Sequence, residues 1–222
     1  AAIGIRATPV SFSLTGKAEV DGHNYDSTGT TLVGSGDVTG VATMKGSDSA
    51  TVKSAGGTNI LGVPPVKVDT STIDPLAFLD EYKSNSDYLY NTSGVYSSVT
   101  WGSSSSPAIV YCNAGDDTSF SIKFTGNVVG YGILVVRGNV QFNGNFSFFG
   151  LVVVDGFNTV VQLGAAGTPQ IVGGIIVAGN AGASVTLKGT GTTGKVKYSS
   201  DALAKAKNIG KLQYYSIIEW YE

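Results

Sequence analysis

GILVVRG at 132–138, GLVVVDG at 150–156 and GIIVAG at 174–179 are three apolar runs that each lie between two glycines. They start 18 and 24 residues apart, at 132, 150 and 174. Repetition at about this period, with glycine at each corner, is typical of coils of short strands that pair with the coils above and below. The sequence therefore predicts an all-β fold, a parallel β-helix (β-solenoid), as a single domain over residues 1–222.

A Greek-key sandwich of antiparallel strands is the alternative architecture. Short strands separated by turn residues every 8–12 positions fit it as well. The two architectures differ in pairing, because a solenoid places the three runs side by side and parallel, whereas a sandwich pairs them with hairpin neighbours. The variable spacing of the runs favours the solenoid, with loop insertions at one corner.

Both faces of the repeated runs are apolar. In 133–136 successive side chains point to opposite sides of the strand, and all four are apolar. Strands of this kind must be covered on both sides. We expect one face to fill the interior of the solenoid and the other to be covered by another element.

Two helices are predicted. One lies near 75–84, with Asp74 as its N-cap, and we expect it to cover the outer face of the apolar runs. A short C-terminal helix is predicted near 201–208, N-capped by Ser200 or Asp201.

The remaining segments are assigned by their composition. Alternating runs that end in glycine at 11–16, 18–22 and 40–46 are interpreted as the opening coils. The polar, serine-rich stretch near 85–106 is interpreted as an excursion loop. The segment 212–221 is interpreted as a final strand.

Composition excludes some classes of function. Only 14% of the residues are charged and the net charge is −2, so no basic surface for nucleic acid is indicated. No run of 18 apolar residues occurs, so no membrane span is predicted. Low charge with abundant Ser, Thr, Gly and Tyr indicates an extracytoplasmic bacterial protein, periplasmic or at the cell surface. The start at Ala1, without Met, is interpreted as removal of a signal segment or a position downstream of an anchor.

The residues that catalysis needs are few and scattered. Enzymes built on parallel β-helices require paired carboxylates with a His, Arg or Lys. The one adjacent acidic pair, Asp116 and Asp117, lies in a predicted turn, and the single histidine, His23, is distant in sequence. Cys112 follows an apolar run and is predicted to be a buried core residue. The sequence predicts no enzyme, no catalytic residue and no cofactor.

A metal site has one set of candidates. Asp21, Asn24 and Asp26 offer oxygen ligands of the kind that calcium prefers. The segment lacks the spacing of an EF-hand loop, and an Asp-Gly turn between strands is the favoured interpretation.

Four aromatic residues form a candidate contact surface: Tyr88, Tyr90, Tyr96 and Trp101. Tyr and Trp are enriched at interfaces because they bury a large area and keep a polar tip. The alternative, which we favour, is that they anchor the segment 85–106 to the solenoid.

Several short motifs extend over most of the chain. They are FSLTGKAEVDGHNYD at 12–26, the GILVV and GLVVV runs within 132–154, YSSDA at 198–202 and EWYE at 219–222. In these motifs the chain resembles the PilX-like minor pilins and assembly proteins of bacterial type IV pili. The resemblance implies a periplasmic or surface-exposed β-solenoid, with other pilus subunits as partners. It also implies membrane contact only through an N-terminal hydrophobic helix that is not part of this sequence.

Three functional hypotheses follow. The first is a non-enzymatic structural or adhesion domain at the surface or in the pilus, with pilus subunits or a surface ligand as partners. The second is a bactofilin-like solenoid that self-assembles end to end, which requires both terminal coils to be open. The third is a carbohydrate-binding or carbohydrate-active β-helix, which requires an acidic groove beside the aromatic side chains.

Overall fold

The chain folds into a curled sheet of parallel strands. A computed structural model describes residues 1–71, 79–114, 121–189, 195–210 and 212. Strands make up 51% and helices 16%, which confirms a mainly β fold. The 17 strands of these described ranges belong to one sheet that curls into a half-barrel. Every pairing between these strands is parallel, so the described strands form none of the hairpin pairs of a Greek-key sandwich.

The elements are numbered in chain order. The strands are β1 (Ile3–Arg6), β2 (Val10–Gly16), β3 (Glu19–Asp21), β4 (Val41–Thr43), β5 (Ile60–Leu61), β6 (Val66–Val68), β7 (Tyr88–Tyr90), β8 (Gly94–Ser97), β9 (Thr100–Trp101), β10 (Ala108–Asn113), β11 (Ile122–Thr125), β12 (Asn127–Arg137), β13 (Val140–Asp155), β14 (Thr159–Gly167), β15 (Gln170–Ala178), β16 (Ala183–Gly189) and β17 (Lys195–Tyr198). The helices are α1 (Gly46–Gly56), α2 (Leu79–Ser84) and α3 (Ser200–Lys207), and a 3-10 turn at Gly57–Asn59 follows α1.

The strands stack in three rows. Row 1 runs β7–β10–β12–β13–β15–β1–β4–β6. Row 2 runs β8–β11–β13–β14–β16–β2. Row 3 runs β9–β12–β13–β15–β17–β3–β5. The long strands bend and therefore contribute to more than one row.

The three runs that predicted the fold are neighbours in row 1. Ile133 lies beside Leu151 in the register of β12 and β13. Val152 lies beside Ile175 in the register of β13 and β15. The prediction that these runs are adjacent, parallel and in register is confirmed.

The stacking order departs from the chain order. Strands β1, β2 and β3 pair with β15, β16 and β17, so the start of the chain stacks on its last strands. Strands β4, β5 and β6 lie beyond them. The segments 11–16, 18–22 and 40–46 do contain strands of the stack, β2, β3 and β4, but their interpretation as its opening coils is wrong, because they lie beyond the last strands of the chain.

The level at the other end is formed by β7, β8 and β9. This segment is the one that the sequence predicts as an excursion loop near 85–106. Instead it contains three short strands that pair with β10, β11 and β12. We call this level, residues 88–101, the aromatic end, and the level of β4–β6 with α1 the helix-capped end.

Glycines form a column where row 3 meets row 1. Gly132, Gly150 and Gly173 lie side by side in register, with φ of 120°, 141° and 133°. A Cβ on Gly150 would collide with the carbonyl oxygen of Gly132. Both the backbone conformation and the close approach of neighbouring levels require glycine here.

One apolar cluster fills the interior along the stack. In the repeated runs it contains the alternate side chains Leu134, Val136, Val152 and Val154, all fully buried. The same cluster extends from Trp101 near the aromatic end to Val66 near the helix-capped end.

A second cluster covers the outer face of row 1. It joins Ile133, Val135 and Val153 to Leu79 of α2 and Ala206 of α3. The prediction that the helix near 75–84 covers this face is confirmed for its described part, α2, and α3, for which no such role was predicted, covers it as well. The beginning of the helix predicted at 75–84, with its Asp74 cap, lies outside the described residues, as does the predicted strand at 212–221 apart from its first residue.

The N-cap of α3 is shifted by one residue from the prediction. Ser199, with an extended φ of −147°, accepts a hydrogen bond from the N–H of Ala202 at 3.1 Å. Ser200 and Asp201, the predicted caps, already lie in the first turn, where Asp201 suits the positive end of the helix dipole.

Candidate functional site

Three of the four predicted contact residues, Tyr90, Tyr96 and Trp101, come together at the aromatic end, and Tyr88 lies on the same strand as Tyr90. Their strands place them in register with interior positions, since Tyr88 lies beside Val110, Tyr90 beside Cys112 and Tyr96 beside Phe124. The ring centroids of Tyr90 and Tyr96 are 4.5 Å apart. The indole Nε1 of Trp101 donates a hydrogen bond to the hydroxyl of Tyr90 at 3.1 Å.

These rings continue an aromatic stack inside the sheet. Trp101 meets Phe124 edge-on with centroids 5.5 Å apart, and Phe124 stacks on Phe142 at 5.5 Å. Trp101 is 1% exposed, so its ring closes the end of the core and offers no free face. Burial and the hydrogen bond to Tyr90 both favour the anchoring interpretation for Trp101.

Other side chains of the same level are exposed. Tyr88 is 37% exposed, Leu89 47% and Val95 64%. Leu89 lies beside Tyr111 of the outer cluster, and Val95 lies beside Lys123 on the outside of row 2. No charged residue occurs between 88 and 106, so the strands of this level are themselves uncharged and expose apolar side chains, with Asp87 before β7 and Lys123 beside Val95 as the nearest charges.

Asp21, the first calcium candidate, is occupied by local hydrogen bonds. Its carboxylate is 3% exposed. It accepts from the N–H of His23 at 2.9 Å, lies 2.6 Å from His23 Nδ1, and accepts from the hydroxyl of Tyr25 at 2.8 Å. Burial, followed by the hydrogen bond to Asp21, raises the pKa of Tyr25 well above its usual range.

Asn24 connects the N-terminal loop to α3. Its side-chain amide donates to the carbonyl of Ser35 at 2.8 Å and to the hydroxyl of Ser200 at 3.0 Å. Its oxygen accepts from the backbone N–H of Ser200 at 2.9 Å. An N–H at the start of α3 is thereby satisfied by a loop from the other terminus.

Asp26 folds back on its own turn. It accepts from the hydroxyl of Thr28 at 2.9 Å and from the N–H of Thr30 at 2.9 Å. These hydrogen bonds, that from the Thr30 N–H foremost, lower the pKa of Asp26 to about 2. The three calcium candidates thus serve separate hydrogen-bond sets, and the described ranges contain no group of three His, Cys, Asp or Glu suited to a metal ion.

The remaining reactive candidates are accounted for individually. Cys112 is fully buried, and burial raises the pKa of its thiol far above the usual range, so its assignment to the core is confirmed. Asp116 and Asp117 lie outside the described residues.

A shallow groove crosses the corner between row 1 and row 2. It encloses about 290 Å³. None of its lining residues is charged: Pro9, Val10, Ser11, Asn158, Thr159, Val160, Ala181, Gly182, Ala183 and Ser184. It therefore contains no acid–base pair of the kind that sugar hydrolysis requires.

Sequence reasoning missed that 88–101 is a complete terminal level. The available signal was the alternation of Tyr88 and Tyr90 around Leu89, which has the period of a strand. The many serines in the surrounding segment led to its interpretation as a loop.

Comparison of the chain with family models, with curated proteins and with solved structures finds no significant match. Among the described residues, no helix is both long and apolar enough to cross a membrane.

Proposed function

We propose that this chain is a β-solenoid that serves as a non-enzymatic structural or adhesion domain at the bacterial surface, associated with a type IV pilus or a similar appendage. The observation behind the proposal is the in-register parallel stacking of three rows over one apolar interior. Such a scaffold is rigid along its length and presents long external faces for contact.

The solenoid itself is supported by the path of single strands. β13 pairs in row 2 through Val140, in row 3 through Ser147 and in row 1 through Val152. One strand therefore runs along all three sides, and its bends lie at positive-φ glycines, Gly144 and Gly150. This path along three sides is the one that a strand of a β-solenoid takes, and it supports the proposal.

A role without catalysis is supported by the structural use of the polar residues. Arg137 Nε lies 3.1 Å from Asp155 Oδ2, which pairs two neighbouring levels of row 1. Lys195 Nζ lies 3.0 Å from Glu19 Oε1 and pairs two levels of row 3. These charges neutralise each other along the ladder and do not converge on a cleft.

The surface location and the pilus partners rest on composition and on the resemblance to PilX-like minor pilins. The bactofilin-like alternative requires two open ends, and α1 covers one of them. The carbohydrate alternative requires an acidic groove, and the groove of about 290 Å³ has no charged lining. These two observations favour the structural role over both alternatives.

The test is cell fractionation with an antiserum raised against this chain. Cells that produce the protein are sheared, and appendages, envelope and cytoplasm are separated. We expect the protein in the sheared appendage fraction together with the major pilus subunit, and its loss from that fraction when pilus assembly is disabled. Recovery only in the cytoplasm would overturn both the location and the partner.

A further inference from the structure

We infer that the aromatic end is a homotypic docking surface, which pairs with the aromatic end of a second copy of this chain. The inference does not depend on the pilus assignment. It follows from the comparison of the two ends of the same sheet.

The strands of the aromatic end have hydrogen-bonding capacity on their outer side. Within the part of the chain that the structure describes, β7, β8 and β9 each pair with one neighbour only. The N–H of Gly94 donates to the carbonyl of Ser121 at 2.8 Å. Because the N–H groups of a strand alternate in direction, that of Val95 points away from β11.

The edge lacks the usual protection against pairing. Sheet edges are normally blocked by charged side chains, by proline or by a covering helix. Neither a charged residue nor a proline occurs between 88 and 106, and Leu89 and Val95 are exposed beside the edge. Among the described residues, a strand that approaches β8 meets outward backbone groups and the apolar side chain of Val95, and the nearest charged residues are Asp87 before β7 and Lys123 beside Val95 in the next level.

The helix-capped end has all of these protections. α1 lies over β2, where Val52 is fully buried in the interior cluster and Asp48 accepts a hydrogen bond from the N–H of Val10 at 3.1 Å. Pro64 and Pro65, which have no N–H to donate, separate β5 from β6, and Lys67 lies in the edge strand β6. Head-to-tail stacking of copies is therefore blocked at this end.

Since stacking of one copy on the helix-capped end of the next is blocked, two copies can pair through their strand edges only by joining their aromatic ends. In two copies related by a two-fold axis the strands wind in the same sense, so the facing edges meet antiparallel, with β8 opposite β8 of the second copy. Such an interface is self-complementary and stops at two copies. The fourteen residues of 88–101 fall below the roughly 20–30 per side of a standard interface, so the dimer is weak and depends on concentration.

The experiment is sedimentation velocity of the full chain between about 1 and about 500 µM, a range that spans weak complexes. Val95→Lys is the test variant, and Val63→Lys is the matched control, since Val63 at the opposite end is 65% exposed against 64% for Val95. We expect wild type and Val63→Lys to dimerise alike, and Val95→Lys to dimerise about tenfold more weakly because the substitution brings two positive charges into one small interface. Wild type that stays monomeric throughout, or equal weakening by both substitutions, would overturn the inference.

Cysteine cross-linking provides a second readout that is independent of the effect of lysine on folding. Under oxidising conditions we expect Val95→Cys to form a disulfide-linked dimer across the β8 pair, and Val63→Cys to stay monomeric. The native Cys112 is buried and does not compete. Equal cross-linking of both variants, or of neither, would contradict the pairing of aromatic ends.

Discussion

The two ends of the sheet close the same apolar interior by different means. At the helix-capped end a separate element, α1, lies over β2 and buries Val52. At the aromatic end the last strands close the core with their own side chains, chiefly Trp101 and Tyr90. Within the described ranges, the aromatic rings fill the end of the interior while β7–β9 keep an unpaired outer edge, whereas α1 both fills the interior and covers the edge of β2.

Between the two ends lies the column of glycines that includes Gly150. Gly150→Ala is expected to disrupt the packing of neighbouring levels at this column. The substitution forces a side chain onto a φ of 141° and into the backbone of Gly132. We expect a loss of more than about 3 kcal/mol in the free energy of unfolding, or failure to fold. Urea denaturation gives the value, with Gly46→Ala as control because a Cβ there meets no neighbour.

Truncation of one side chain at each end measures the two forms of closure. We expect Trp101→Ala to cost about 3–5 kcal/mol, since it empties a large buried site, and Val52→Ala to cost about 2 kcal/mol. Both are read from urea denaturation of the same preparation. Equal costs would mean that the indole contributes no more to closing the core than one valine of α1 does, and Trp101→Phe separates the effect of ring volume from the hydrogen bond to Tyr90.

Ser199→Ala tests the covering layer between the ends. The substitution removes the N-cap of α3, and we expect a loss of about 1 kcal/mol. Hydrogen exchange should show faster exchange at Ala202 and Leu203, with β7–β9 and α1 unchanged. Faster exchange at either end would show that the covering layer and the ends are coupled.

Asp26 gives the smallest effect and depends on pH. Its carboxyl has a pKa of about 2 in the folded chain against an ordinary 3.8, so its contribution to stability is complete above about pH 4 and is lost as the pH falls toward 2. We expect Asp26→Asn to be less stable than wild type at pH 6 and equal to it near pH 2, by thermal melts. A difference that persists at pH 2 would show that the carboxylate charge is not the cause.

The periodic part of the fold was predictable because each of its determinants is local. The glycines at 132 and 150 set the positions of the bends. The run at 133–136 is apolar on both faces, so both faces must be buried. The cover by α2 follows from the same requirement, whereas the additional cover by α3 was not predicted. The calcium candidates failed to converge for the opposite reason: which groups surround Asp21 and Asn24 depends on Ser200 and Tyr25, and sequence spacing does not show that distant Ser200 meets this loop.

The sequence by itself determined that the chain forms short parallel strands with glycine bends and two apolar faces, because period, bend and burial are properties of neighbouring residues. The tertiary structure alone decided the order of the levels: β1–β3 stack on β15–β17, and β7–β9 form one end. Edge backbone groups of any two levels are chemically alike, so the backbone does not specify which level meets which. The choice is made by the fit of whole levels, together with long-range contacts such as Lys195 with Glu19.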